Sequence, residues 1–139
     1  MSPFFEQLEH TADLALRIYG RDLRELFAHA AQAMFSQVAD MTCTSKPGDA
    51  TVQRQVAVQG LDYESLLVNW LNELLYLHET QREVYTVFNI VQLSLRRLKA
   101  VVRGGPSQAV HTMIKAATYH QLAIERTAEG YAVTVVFDV

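Results

Sequence analysis

Two segments of helical periodicity set among several short segments of strand periodicity make this an α+β sequence. Each helical segment carries a single apolar face, and the strand segments follow one another at hairpin-like spacing. The architecture expected from this is a two-layer sandwich, with two amphipathic helices packed on one side of a largely antiparallel sheet.

The elements follow in order. Residues 4–9 and 14–19 read as two short strands; in the second, Leu14, Leu16 and Ile18 alternate with Ala15, Arg17 and Tyr19. Between them lies the polar run H-T-A-D, residues 10–13. Gly20 ends the strand pattern. Leu23, Leu26, Phe27, Ala30, Ala31, Met34, Phe35 and Val38 then recur at three- and four-residue steps, a helical stripe. Asp22 followed three residues later by Glu25 resembles a capping box. Residues 40–50, polar and containing Pro47 and Gly48, form a loop, and residues 51–58 a third strand. A second helix is expected over about 62–79, with Tyr63, Leu66, Leu67, Trp70, Leu71, Leu74 and Leu75 on its apolar face and Asn69, Asn72, Glu73 and Glu79 mostly opposite. The remainder reads as strands at 84–95, 98–103, 109–116, 119–126 and 131–137, with turns at R-G-G-P-S (103–107) and Glu129-Gly130. G-R-D-L-R-E-L-F at 20–27 lines up with G-L-D-Y-E-S-L-L at 60–67. Either this is the generic look of a strand, a glycine and a capped helix, or a strand–helix unit is duplicated within the chain.

Composition bounds the function. The 139 residues fit one domain, 1–139, in which half the residues are hydrophobic and 19% charged. A net charge of −3 argues against a general nucleic-acid binder without excluding a local basic patch. Cys43 is the only cysteine, so no intrachain disulfide and no thiolate metal cluster is expected. No basic region followed by an apolar run opens the chain, and no stretch approaches the ~18 apolar residues of a membrane span. A cytoplasmic protein is expected. The sequence contains no phosphate-binding G-x-x-x-x-G-K-[ST] loop, no G-x-S-x-G elbow and no H-E-x-x-H.

Three polar groups remain. His10, Thr11 and Asp13 sit where a strand leaves the sheet, and such residues also serve ordinary turns. Lys115, Thr118, Tyr119 and His120 interrupt apolar strand segments, either as a chemical site or as an exposed strand face. At the other end Asp138 breaks the apolar run V-V-F-D-V, and the α-carboxylate of Val139 follows one residue later. Covalent connection holds these two acidic groups close. A hard divalent cation suits them, because Ca²⁺ and Mg²⁺ take oxygen ligands; a frayed terminus is the alternative. A last strand placed beside the first would bring Asp138 to the H-T-A-D turn, where a cation would offset the repulsion.

E-H-T-A-D, L-L-V-N-W-L-N-E-L-L-Y at 66–76, I-K-A-A-T-Y-H at 114–120 and the terminal F-D-V, in this order and spacing, resemble the archease family over almost the whole chain. One departure is Leu-Ala-Leu after H-T-A-D, where many relatives have an Ile-Gly pair. The resemblance implies a metal-binding accessory protein, not an enzyme in its own right. Its partner would be the GTP-dependent RNA ligase of tRNA splicing and RNA repair, whose active-site histidine becomes guanylylated more readily in its presence. The implied metal ligands are Asp13, Asp138 and the Val139 carboxylate, for Ca²⁺, Mg²⁺ or Mn²⁺. Lys115 is implicated in activation through phosphate or partner contact, and His10, Thr118 and His120 are expected as neighbours. RNA would be met only through the ligase, and no membrane is involved. Two other readings are a chaperone-like adaptor for a tRNA-modifying enzyme, and a metal-dependent hydrolase with His120 as general base.

Overall fold

The computed structural model describes residues 4–8, 13–38, 51–107 and 113–139. In chain order the elements are β1 (Phe5–Leu8), β2 (Leu14–Gly20), α1 (Leu23–Val38), β3 (Val52–Gln59), α2 (Tyr63–Gln81), β4 (Glu83–Leu93), β5 (Arg97–Pro106), β6 (Ala116–Ala117), β7 (Glu125–Thr127) and β8 (Gly130–Asp138). The class is the α+β expected. The strands, however, divide into two antiparallel sheets rather than one: β1-β2-β8-β6 with β7 also paired to β8, and β3-β5-β4. The last strand lies beside β2, not beside β1. Leu16, Ile18, Val133, Val135 and Phe137 face inward from the first sheet, and Leu98, Ala100 and Val102 from the second. Both helices bury their apolar faces against these residues in one continuous cluster. Helix α1 packs on β2 and β4, and α2 on β3 and β6, so each helix bridges the two sheets. Trp70, fully buried in α2, donates its indole N–H to the Phe27 carbonyl of α1 at 3.0 Å. No described helix is long and apolar enough to cross a membrane.

The echo between residues 20–27 and 60–67 is structural. Asp22 accepts from the Glu25 amide at 2.8 Å, as Asp62 does from Ser65 at 2.7 Å. The side chain of each third residue reaches back in turn: Glu25 accepts from the Arg21 amide at 3.0 Å, and Ser65 from the Leu61 amide at 2.7 Å. Gly20 and Gly60 are required at equivalent places, because a Cβ at either would strike the backbone of Leu26 or Leu66 at the start of the helix. The topology repeats as well. β3–α2–β4–β5 gives the order β3-β5-β4, and β2–α1–β7–β8 gives β2-β8-β7. The chain is thus two strand–helix–strand–strand units, the second inserted whole between the helix and the final strands of the first.

Two segments depart from expectation. R-G-G-P-S does not turn; β5 runs on through Pro106. Gly104 is needed there because β4 bulges between Tyr85 and Val87 and brings the Val84 carbonyl to where a Cβ would stand. The strands expected at 109–116 and 119–126 shrink to Ala116–Ala117 and Glu125–Thr127, with residues 109–112 outside the described set. The Thr118 amide and hydroxyl both donate to the Val136 carbonyl, at 3.0 and 2.8 Å. The chain then turns, with the Leu122 amide on the Tyr119 carbonyl at 3.1 Å and Gln121 at φ 50°. Glu129 does turn as expected, leading into Gly130, whose φ of 147° and close approach to Gly20 exclude a side chain.

Candidate functional site

Pairing of β2 with β8 runs antiparallel from Gly20↔Tyr131 to Leu14↔Phe137. The register ends there, with Asp13 the residue just before β2 and Asp138 the last residue of β8, both at the same end of the paired strands. Leu14 and Phe137 point into the core, so the two aspartates point to the outer face of the sheet, beyond the end of its apolar ladder. Asp138 is exposed and Asp13 half-buried. Two carboxylates are therefore brought to one rim of one sheet from nearly opposite ends of the sequence.

The other side of Asp138 is lined by β6. Ala116 pairs with Asp138 and Ala117 with Phe137, and the Lys115 amide donates to the Asp138 carbonyl at 2.8 Å. The exposed Lys115 side chain thus springs from backbone bound directly to Asp138. Thr118 is spent on the Val136 carbonyl, and its hydroxyl also accepts from the His120 amide at 3.3 Å. His120 and Tyr119 project from the exposed turn that follows. His10 and Thr11 lie outside the described residues.

Sequence reasoning missed the residues that hold this short strand. Asn72 of α2 donates to the Ala117 carbonyl at 3.2 Å and accepts from the Ala117 amide at 2.8 Å. Its amide replaces the neighbouring strand that β6 lacks on that side. Glu64, also of α2, accepts from the Ile124 amide at 3.0 Å. The available signal was an amide side chain between Leu71 and Leu74, half-buried on a helix whose outer face is otherwise charged or exposed.

Chemically, this end of the sheet offers two aspartates at adjoining strand ends, the residue Val139, and the Lys115 backbone bonded to Asp138. Oxygen donors of this kind fit a hard divalent cation better than a soft one. No group of three or more His, Cys, Asp or Glu side chains able to hold a metal occurs among the described residues. Among the described residues, a cation here would rest on the two aspartates, with further donors from backbone or solvent. A cavity of about 810 Å³ is lined by Phe4, Glu6, Tyr19, Arg21, His29 and Tyr131, among others. It lies at the Gly20 end of β2, the length of a strand away from Asp13, and contains none of the residues singled out from the sequence.

Three comparisons bear on this arrangement. The model of the Archease protein family matches residues 5–139. Protein archease of Methanosarcina acetivorans is 41% identical over 143 residues, which cover 97% of this chain and 95% of that one. Protein archease of Archaeoglobus fulgidus is 37% identical over 141 residues, covering 95% and 96%. The solution structure of Methanobacterium thermoautotrophicum protein 1598 superposes with a TM-score of 0.79 at 29% identity, over 98% of this chain and 99% of that chain. A crystal structure of an archease from Thermotoga maritima, described as a possible chaperone, shares the fold at a TM-score of 0.66 and 23% identity, over 96% of both chains. The segments quoted from the sequence and the fold they build thus carry the same assignment, and the chain belongs to the archease family.

Proposed function

We propose that this chain is a metal-binding accessory protein that activates a GTP-dependent RNA ligase, and does no chemistry alone. The observation that carries the reading is the antiparallel pairing of β2 with β8, which ends at Leu14↔Phe137 and so leaves Asp13 and Asp138 at the same end of the two strands. Two carboxylates gathered there repel each other, and a cation between them removes that cost. Asp13, Asp138 and the Val139 carboxylate are the residues to hold it. Bound there, a divalent ion would supply positive charge to nucleotide phosphates.

The residues of the chain itself do the rest. The paired β2 and β8 keep the two carboxylates together on a rigid edge. The Asp138 carbonyl fixes the backbone of Lys115, so the ammonium group is offered beside the acids, where it can pair with phosphate or with a carboxylate of the ligase. Such an exposed rim at the end of a sheet suits entry into a partner's active site.

The test is a ligase guanylylation assay with and without this protein. Added protein should raise the guanylylated fraction and the number of turnovers, while the isolated chain turns over neither GTP nor RNA. Asp138→Ala should remove at least nine-tenths of the gain with an unchanged melting temperature. The metal has a separate readout: millimolar Ca²⁺ or Mg²⁺ should raise the melting temperature of the native protein and not that of Asp138→Ala. Full stimulation by Asp138→Ala would refute the site, and hydrolysis by the isolated chain would favour the hydrolase reading.

A further inference from the structure

The second sheet has a face that no other described element covers. β5 is its central strand. Arg97, Lys99, Val101 and Arg103 point to one side of it, alternating with the buried Leu98, Ala100 and Val102 on the other. The register sets Gln59 opposite Arg97, Ala57 opposite Lys99, Gln55 opposite Val101 and Gln53 opposite Arg103 on β3. On β4, Val87 stands opposite Arg103, Asn89 opposite Val101 and Gln92 opposite Lys99. Val101 is partly covered; every other member of this surface is exposed. The face therefore consists of a central cationic row flanked by side-chain amides, with no carboxylate on any of its three strands' outward positions. The ion pairs formed among the described residues, Arg17–Glu125, Arg21–Glu25 and Arg54–Glu83, leave this row out. In a chain of net charge −3 this is a strong segregation of charge.

We propose that this face binds the phosphodiester backbone of a nucleic-acid strand, directly and without base selection. The occupant follows from what the face has and lacks. It is flat and polar, with guanidinium and ammonium groups that have no internal anion, and amides able to bond phosphate or sugar oxygens. Interfaces with nucleic acid have this character. A protein partner would call for a cluster of aromatic or large aliphatic anchors, and here Ala57, Val87, Val91 and Val101 lie scattered among the polar groups. Aromatic side chains for stacking bases are absent from these positions too, which excludes the stacking platform of many single-strand binders. From Arg97 to Arg103 the row extends about 20 Å at ~3.4 Å per residue, room for several consecutive phosphates. The family resemblance implied contact with RNA only through the ligase, and net charge left a local basic patch open; this face argues for contact by the chain itself. The inference stands apart from the ligase reading, since it involves neither the acid rim nor any second protein.

Fluorescence anisotropy of a labelled 20-nucleotide single-stranded RNA with the full chain, in the absence of ligase, tests it. Saturable binding at 50 mM salt is expected. The logarithm of the affinity should fall with the logarithm of salt at a slope of about −2, from three phosphate contacts at roughly 0.7 each. Arg97→Gln/Arg103→Gln should weaken binding at least fivefold and flatten that slope. Arg24→Gln/Arg126→Gln, an equal loss of exposed charge off this face, should change it less than twofold. Arg97→Lys/Arg103→Lys should stay within about threefold of the native protein, which guards against a loss caused by unfolding. DNA of the same sequence binding equally well identifies the phosphates alone as the ligand; weaker DNA binding adds the ribose hydroxyls to it. No saturable binding, or equal losses from the two glutamine pairs, would overturn the proposal. So would poly-glutamate competing as well as RNA, because the face would then belong to an acidic protein.

Discussion

The two strand–helix–strand–strand units share a topology, a pair of indispensable glycines and the same aspartate cap, yet they are finished differently. The inserted unit has the longer strands: β3, β5 and β4 pair along their length, with irregularities confined to β4, and Arg54 of β3 grips Glu83 of β4 through two bonds of 2.9 Å, with the buried Tyr85 hydroxyl adding a third of 2.7 Å. In the outer unit the corresponding strands, β2 and β7, are joined by a looser contact, Arg17 to Glu125 at 3.5 Å, with the glutamate largely in water and the arginine partly buried. Its third strand is three residues long, and the polar segment before it is held by hydrogen bonds from another element. Long pairing was kept where the unit serves as scaffold and given up where polar groups had to be gathered at a rim. The difference separates stability from function along the chain, and the inserted unit supports the irregular one through α2.

The comparison breaks most visibly at the joint between the units. Trp70→Ala deletes a fully buried indole and its bond to α1, and should cost about 3–5 kcal/mol in a denaturant melt. Both units should lose stability in a single transition; two resolved transitions would mean that they fold independently. Within the inserted unit, Glu83→Ala should cost roughly 2–3 kcal/mol by leaving the Tyr85 hydroxyl and Arg54 without their acceptor. The bonds from Arg54 hold the Glu83 carboxyl below its ordinary 4.5. Its contribution is therefore complete above that pH and is lost as pH falls through the lower folded value. Glu83→Gln should accordingly flatten the decline of melting temperature below about pH 4.5.

Asn72→Ala sharpens the division of labour. It should cost about 1–2 kcal/mol in stability, but a larger share of ligase stimulation, since it frees the strand that carries Lys115 while leaving the acid pair on β2 and β8. An unaltered stimulation would show that the segment holds its place without α2. The smallest expected effects test the duplication itself. Asp22→Ala and Asp62→Ala each remove one capping acceptor and should each cost about 1 kcal/mol. Clearly unequal values would mean that the shared cap is a likeness of form with different energetic weight in the two units.

Much of this was legible in the residues, for reasons that can be named. Helix α2 was readable because seven apolar residues mark one face and Asp62 caps its start. Asp13 and Asp138 were brought together on paper by the family resemblance of the segments that carry them and by a last strand placed beside the first. The neighbour of β8 was not fixed by strand alternation: β1 and β2 are both apolar and short, and only the three-dimensional pairing chooses β2. R-G-G-P-S looked like a turn because glycine serves both turns and close backbone approach, and the bulge in β4 that decides between them is not local to it. The segment 114–126 carried strand-like residues, but Thr118 uses its hydroxyl on a strand carbonyl and the chain turns away. Asn72 was read as part of the outer face of α2, since a half-buried amide differs from an exposed one only through what lies above it.

The nesting of one unit inside the other sets the order in which this molecule can be completed. The inserted unit contains its own partners close together in sequence, so little loop entropy opposes its early formation. β2 must wait for β8, which is made only after the whole inserted unit, and until then it lacks that partner strand. A nascent chain cut short between β5 and β8 keeps a folded middle and an unpaired edge on β2. Pairing of β2 with β8 would thereby report that translation had passed both units.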